Sequence, residues 1–308
     1  MYKIWDSASI YPSLSKEEAI KVFELQDKGR KGIITQEEID YVNALIEKDE
    51  KACKPTLSIE ELRKLEIKEM NEIKTEMEKK KMESVKIISY NIQSYTEEKL
   101  AKLLSQEADV YVIPEIATNE KIEIPNEYVN VYEIERIWNN KHPTKGLGII
   151  WKKGNGHYIP DWKNKELTFA IPLIYNNIFI LGFWPTKIEK KTYTKIAEEI
   201  IDYYSPYFNS YEQCIITGDF NLFHNKLNKA SDIITINKKL NDHNLLSVFH
   251  TKYNKAFGKE EQATYFHKPL HDKPYFLDYT YTKKPVYDYE LMEWDKDFSD
   301  HRGQIIYI

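Results

Sequence analysis

The chain has 308 residues, with 44 Lys and Arg against 49 Asp and Glu, a net charge of −5. That length holds one large domain and a small one, and its charges are interspersed, so no basic arm marks a protein that grips polyanions by charge alone. No apolar run near the N-terminus is long enough for a signal peptide or a membrane span, which leaves a cytoplasmic protein with no membrane partner as the expectation.

Residues 1–84 read as helical. Ser15 with Glu18, Thr35 with Glu38, and Ser58 with Glu61 each fit a capping box, opening three successive helices. The third carries Ile59, Leu62, Leu65, Ile67, Met70, Ile73 and Met77 at roughly helical spacing. Between the first two, Asp27 to Glu38 has the outline of a calcium-binding EF-hand loop, with Asp first, Gly32 sixth, Ile34 eighth and Glu38 twelfth. Gly29 and Lys31 stand where oxygen donors are needed, so a plain turn between helices is expected. Nothing in this region resembles a catalytic motif, and an interaction or dimerising role is its expected use.

From residue 85 the texture changes to short β-rich runs. Strands are predicted at 85–90, 110–113, 128–134, 147–151, 167–171, 178–184, 214–217, 276–281, 286–291 and 304–307, and helices at 97–106, 192–204 and 230–243. Many strands with few helices suit an α/β fold of two packed mixed β-sheets flanked by helices, a four-layer sandwich spanning 85–308, with residues 1–84 as an all-helical extension. The two cysteines, Cys53 in a polar helical stretch and Cys214 in an apolar strand, read as free thiols.

Polar groups stand at the ends of these apolar runs. Asn91 follows one strand, and Glu115 follows another that ends in the stiff Pro114. Asp219 and Asn221 follow Gly218, which lets the chain turn sharply, Asp278 ends Tyr275-Phe276-Leu277, and Asp300-His301 precedes the terminal strand. Carboxylates and amides at strand ends are what a protein needs to hold a hard divalent cation and to attack a phosphate ester. A carboxylate accepts a proton, whereas an amide or imidazole stabilises an oxyanion.

In that order these motifs resemble the endonuclease/exonuclease/phosphatase superfamily, which shares the fold of pancreatic deoxyribonuclease. The resemblance covers roughly residues 85–308 and is densest at Gly218–Asn221 and Ser299–His301. It implies that Glu115, Asn91 and Asp300 hold Mg²⁺, or Mn²⁺ in its place. It implies too that Asp219 orients or deprotonates the attacking water, that Asn221 and His301 contact the phosphate, and that Asp278 holds the His301 imidazole. A metal-dependent phosphodiesterase acting on nucleic acid, DNA first, is the expected activity. A phosphatase for a small ester such as an inositol phosphate, and a noncatalytic binding module, are the alternatives.

One position departs from the family pattern. Most members end the strand matching 178–184 with a His, or with a Tyr in abasic-site endonucleases, to help protonate the leaving oxygen. Here Phe183 or Trp184 occupies that place, and neither serves as an acid. His224, His250, His267 and His271 are candidates to reach in, although structural roles are expected for them. Among 23 Tyr and 6 Trp, Trp138 with His142, and Trp151 with Lys152 and Lys153, are loop-proximal places for substrate contacts.

Overall fold

The computed structural model describes residues 13–52, 59–116, 122–135, 145–162, 167, 170–186, 191–224, 232–266 and 274–308. Two compact units emerge, Met1–Glu76 and Met77–Ile308. The first holds α1 (Lys16–Arg30) and α2 (Gln36–Ala52), and α3 (Ile59–Glu83) runs from it into the second. Ser15 Oγ accepts from Glu18 N while Glu18 Oε2 accepts from Ser15 N, and Thr35 and Glu38 repeat the exchange. The box expected at Ser58 lies outside the described residues. Leu14, Ala19, Val22, Leu25, Val42 and Leu45 form the small core under α1 and α2. The EF-hand outline is a turn, as expected: Asp27 lies within α1 and pairs with Lys31 at 2.5 Å, and Glu38 pairs with Lys28 at 2.6 Å.

The second unit runs β1 (Lys86–Ser89), α4 (Glu97–Leu104), β2 (Val110–Pro114), β3 (Tyr128–Glu135), β4 (Lys145–Lys152), β5 (Gly156–His157), β6 (Ala170–Tyr175) and β7 (Ile178–Phe183). It continues with α5 (Tyr193–Ser210), β8 (Cys214–Asp219), α6 (Ile233–Asn241), β9 (Leu246–Ser247), α7 (Val248–Tyr253), β10 (Tyr265–Phe266), β11 (Pro274–Tyr275), β12 (Asp278–Thr282), β13 (Asp288–Leu291) and β14 (Gln304–Tyr307). One six-stranded sheet has the order β13-β14-β1-β2-β4-β3, the other β5-β6-β7-β8-β12-β9. Cys214 is buried and free, its thiol donating to Phe208 O at 3.3 Å, whereas Cys53 lies outside the described residues.

Side-chain alternation along the strands builds the layers. Ile87, Val110 and Val112 turn to the core shared with the second sheet, while Ile88, Tyr111 and Ile113 turn to the opposite face, under Leu100, Leu103 and Leu104 of α4. The second sheet is covered on its far side by α5 and α6, through Ile196, Ile200, Ile201, Ile233 and Ile236. The architecture is thus helix, sheet, sheet, helix. Strands buried on both faces read as unbroken apolar runs, which is why β2 and β8 were legible.

The strand expected at 167–171 instead begins at Ala170 and continues to Tyr175, where it pairs with Ile178 of β7. Asn176 and Asn177, at φ +47° and +61°, make the two-residue hairpin turn that fixes this register. Trp151 lies in β4 opposite Val110, at the end of β2 away from Glu115, and it is buried. It is a core residue rather than a substrate contact.

Strand polarity decides where the motif residues go. β1 and β2 are parallel and joined through α4, so Asn91 and Glu115 leave the first sheet at the same edge. β14 runs antiparallel to β1, which brings its preceding residues, Asp300 and His301, to that edge as well. In the second sheet β12 runs antiparallel to β8 with Asp278 directly opposite Asp219. Ligand sites at the carboxyl ends of parallel strands follow the general rule for α/β sheets.

Candidate active site

Asn91 is fully buried and joins the two sheets, its Nδ2 donating to Asp219 Oδ2 at 3.0 Å. Ser299 Oγ donates to Asn91 O at 2.6 Å and accepts from His301 N at 3.1 Å, so one hydroxyl ties the end of β1 to the approach to β14. His301 Nδ1 lies 2.8 Å from Asp278 Oδ2, and Nε2 lies 3.9 Å from Asp219 Oδ2. Asp219, Asp278 and His301 are all buried. Asp219, Asp278, His301 and Asn91 therefore form one connected array. Asn221 stands beside it, with its N–H donating to Asp219 Oδ1 at 2.9 Å and its Nδ2 to Pro185 O at 3.2 Å.

Burial pushes the Asp219 carboxyl up to about 7, against the lowering pull of the His301 charge. For His301, burial acts to lower the imidazole, but the charges of Asp278 and Asp219 and the hydrogen bond to Asp278 outweigh it and raise it to about 10. The ring is then a cation at neutral pH, with protons on both nitrogens. Asn91 Nδ2 and His301 Nε2, 3.3 Å apart, are accordingly two donors side by side, an arrangement that suits an anion.

Glu115, at the end of β2, adopts the left-handed conformation with φ +58°, and so does Asn221 at +53°. Non-glycine residues in that region are costly and cluster at functional sites. The Glu115 carboxylate pairs with Lys145 at the start of β4. Asp300 Oδ2 accepts from Gln93 Nε2 at 2.9 Å, and Asn91 Oδ1 accepts from Gln93 N at 2.9 Å. Tyr265, its ring 4.7 Å from that of His301, has its phenol pushed up to about 12 by burial and then by the charges of Asp300, Asp219 and Glu115. All three carboxylates therefore act on one hydroxyl.

Among the described residues, two groupings could take a metal. Ligand atoms of Asp219, Asp278 and His301 lie within 4.8 Å of one another. There the imidazole is committed to Asp278 by a 2.8 Å hydrogen bond, so the set is built to hold a proton. Glu115, Asp300 and the Asn91 amide oxygen are hard oxygen donors at the same edge, and the charges of Asp300 and Glu115 are both felt at the Tyr265 phenol. That donor chemistry fits Mg²⁺ or Mn²⁺.

The departure at the end of β7 is explained by packing. Phe183 is fully buried against Phe220, with ring centroids 4.4 Å apart, and Phe220 also meets Tyr279 at 5.3 Å. Phe220 thus anchors the loop that presents Asp219 and Asn221. His224 pairs with Asp232, and His250 is buried between Ser247 and Glu260. Neither is presented as a proton donor to the array. His267, His271, Trp138 and His142 lie outside the described residues.

Gln93, Lys145, Thr264 and Tyr265 were not singled out from sequence. Thr264 Oγ1 accepts from the N–H groups of Leu277 and Asp278, and its carbonyl accepts from Arg302 N, so it braces the segments that carry Asp278 and His301. Each reaches the site by a long-range contact with no local signature, although Gln93, two residues beyond Asn91, was open to suspicion.

No family model and no curated protein matches the sequence. Solved structures do. A 3′ phosphatase from Neisseria, NExo, bound to a product DNA hairpin, is 11% identical with a TM-score of 0.55 over 72% of this chain and 98% of that one. An AP endonuclease from Archaeoglobus fulgidus is 16% identical, also with a TM-score of 0.55, over the same shares. The fold is that of the endonuclease/exonuclease/phosphatase superfamily. The endonuclease domain of TRAS1, a telomere-specific non-LTR retrotransposon, is 14% identical with a TM-score of 0.50 over 72% of this chain and 97% of that one. At these identities the likeness to this superfamily concerns the fold.

Proposed function

We propose that the chain is a divalent-metal-dependent phosphoric ester hydrolase, a phosphodiesterase acting on nucleic acid, with DNA as its substrate. The buried Asp219–Asn91–His301–Asp278 array carries this reading, since it sets a proton acceptor and a cationic donor around one point. Asp219, with its carboxyl raised to about 7, takes the proton of an attacking water. His301 and Asn221 face the charge that gathers on the phosphate, and Asp278 keeps the imidazole protonated and oriented. Glu115, Asp300 and Asn91 would hold the cation, which when bound supplies positive charge to the phosphate oxygens. The overall charge of −5 is no obstacle, because that cation provides attraction where it is needed.

Among the described residues no helix is long and apolar enough to cross a membrane. To residues 1–84 we assign an interaction or self-association role, for which the exposed Ile20, Phe23 and Tyr41 offer apolar surface.

Plasmid DNA incubated with the full chain and Mg²⁺ should be nicked. Nicking should vanish with EDTA and in Asp219→Ala and His301→Ala, each checked by circular dichroism to be folded at the assay temperature. Unchanged rates in either variant would refute the assignment. A phosphomonoester is the second reading, favoured by the phosphatase among the structures of like fold. Parallel incubations with single-stranded DNA, RNA and inositol phosphates decide between them, and no turnover of any ester would leave a binding module.

A further inference from the structure

Beyond Asn91 the chain turns abruptly, and Gln93 takes the left-handed conformation with φ +61°. In that pose Gln93 donates twice. Its backbone N–H reaches Asn91 Oδ1 at 2.9 Å, and its side-chain Nε2 reaches Asp300 Oδ2 at 2.9 Å. The two acceptors come from opposite ends of the domain's sequence and are two of the three groups assigned above to the cation. We propose that Gln93 is the positioning residue of the metal site, fixing the separation and orientation of Asn91 and Asp300, an inference that rests on the metal assignment of the preceding subsection.

Three observations support it. The surroundings of Gln93 are braced on both sides, by Ile92 N donating to Pro114 O at 3.3 Å and by Ser299 Oγ donating to Asn91 O at 2.6 Å. A left-handed non-glycine residue persists where such contacts over-determine it. Second, the bond from Gln93 Nε2 to Asp300 Oδ2 fixes the plane in which that carboxylate is presented. Third, the amide is neutral. It orients Asp300 without adding a charge that would compete with the ion, as an ammonium would, or repel Asp300, as a carboxylate would. Mg²⁺ demands near-ideal geometry at short distances, whereas Ca²⁺ accepts looser and more variable ligand sets. Ligand spacing fixed by Gln93 therefore favours the smaller ion.

The test is titration calorimetry of the full chain with MgCl₂ and with CaCl₂, comparing wild type, Gln93→Ala and Gln93→Gly. The glycine variant removes the amide while relieving the left-handed backbone, so it separates the side chain's role from strain. Both variants should bind Mg²⁺ at least about ten-fold more weakly, the usual scale for groups that orient metal ligands. Preference for Mg²⁺ over Ca²⁺, read by competition, should fall, with the melting temperature in EDTA unchanged for Gln93→Gly. Mg²⁺ affinity equal to wild type, or an equal loss for both ions, overturns the proposal. Failure of the wild-type chain to bind Mg²⁺ would instead overturn the metal assignment itself.

Discussion

At the scale of single residues the site depends on small groups that admit no substitute. Gly218 has φ +151°, and a Cβ there would lie 1.8 Å from Phe183 O. Neither backbone can retreat, because both belong to the buried parallel pair β7 and β8. Gly218→Ala should therefore cost more than about 3 kcal/mol. That loss would register as a lower urea midpoint or as insoluble expression, and a midpoint within about 0.2 M of wild type, on the order of 0.5 kcal/mol, would contradict the packing argument. Asp278→Asn is the complementary case, keeping shape while removing charge. Without that carboxylate the strongest raising influence on His301 is gone, so its titration, followed by NMR, should move down from about 10. Phosphate ester hydrolysis should fall by about 100-fold or more.

At the scale of elements the two sheets are welded just beneath the site. Thr217 and Thr280, register partners in β8 and β12, share a hydrogen bond of 2.7 Å. Thr280 Oγ1 donates onward to Gln304 Oε1 of β14 at 3.0 Å, and Tyr289 OH of β13 donates to the same oxygen at 2.8 Å. The amide of Gln304 thus gathers both sheets in the dry interior. Thr280→Val keeps the volume and deletes both bonds, leaving Thr217 Oγ1 buried without its partner. It should cost about 1–3 kcal/mol. Because Asp278 begins the same strand, turnover should fall along with stability, and chemical denaturation combined with steady-state kinetics will show whether the two move together.

At the scale of the whole molecule, acid should be the first chemical stress to unfold the chain. Asp288 accepts from Lys252 at 2.6 Å and from Lys81 at 2.7 Å, joining α7 and the end of α3 to β13. Burial works to raise its carboxyl, yet the hydrogen bonds from Lys252, Lys81 and the Tyr289 N–H hold it well below the usual carboxylate range. A depressed folded pKa means that this stabilisation is fully present above the unfolded value near 4 and is lost as pH falls through and below it. Glu260, held low by His250 and the Gly258 N–H against its burial, acts in the same direction. Through Asp288 and Glu260 the melting temperature should drop steeply below about pH 4, whereas the raised Asp219 and His301 act the other way and lower it gently as pH rises from about 5 to 8. Asp288→Asn should lower it by roughly 3–6 °C at pH 7, about 1.5 kcal/mol, with the gap narrowing below about pH 4 and closing only as the pH falls through the strongly depressed folded value. A constant gap across that range would show that Asp288 acts through packing and not through charge.

Residues 214–221 and 299–301 carried most of what was legible beforehand, because an apolar strand followed by Gly-Asp-Phe-Asn, and Asp-His before a terminal strand, are local patterns. Two apolar faces per strand, helix caps and strand-end acids are written into neighbouring residues, so layers, elements and the chemistry of the donors followed from the chain itself. What local pattern could not hold is which ends meet. Parallel β1 and β2, antiparallel β14, and the facing of Asp278 to Asp219 are decided by pairing between distant segments. The same is true of Lys145 on Glu115 and Gln93 on Asp300, contacts that strand polarity and sheet packing create and that no periodicity encodes. Even the replacement of an acid by Phe183 acquired its reason only in three dimensions, where the ring fills the space against Phe220.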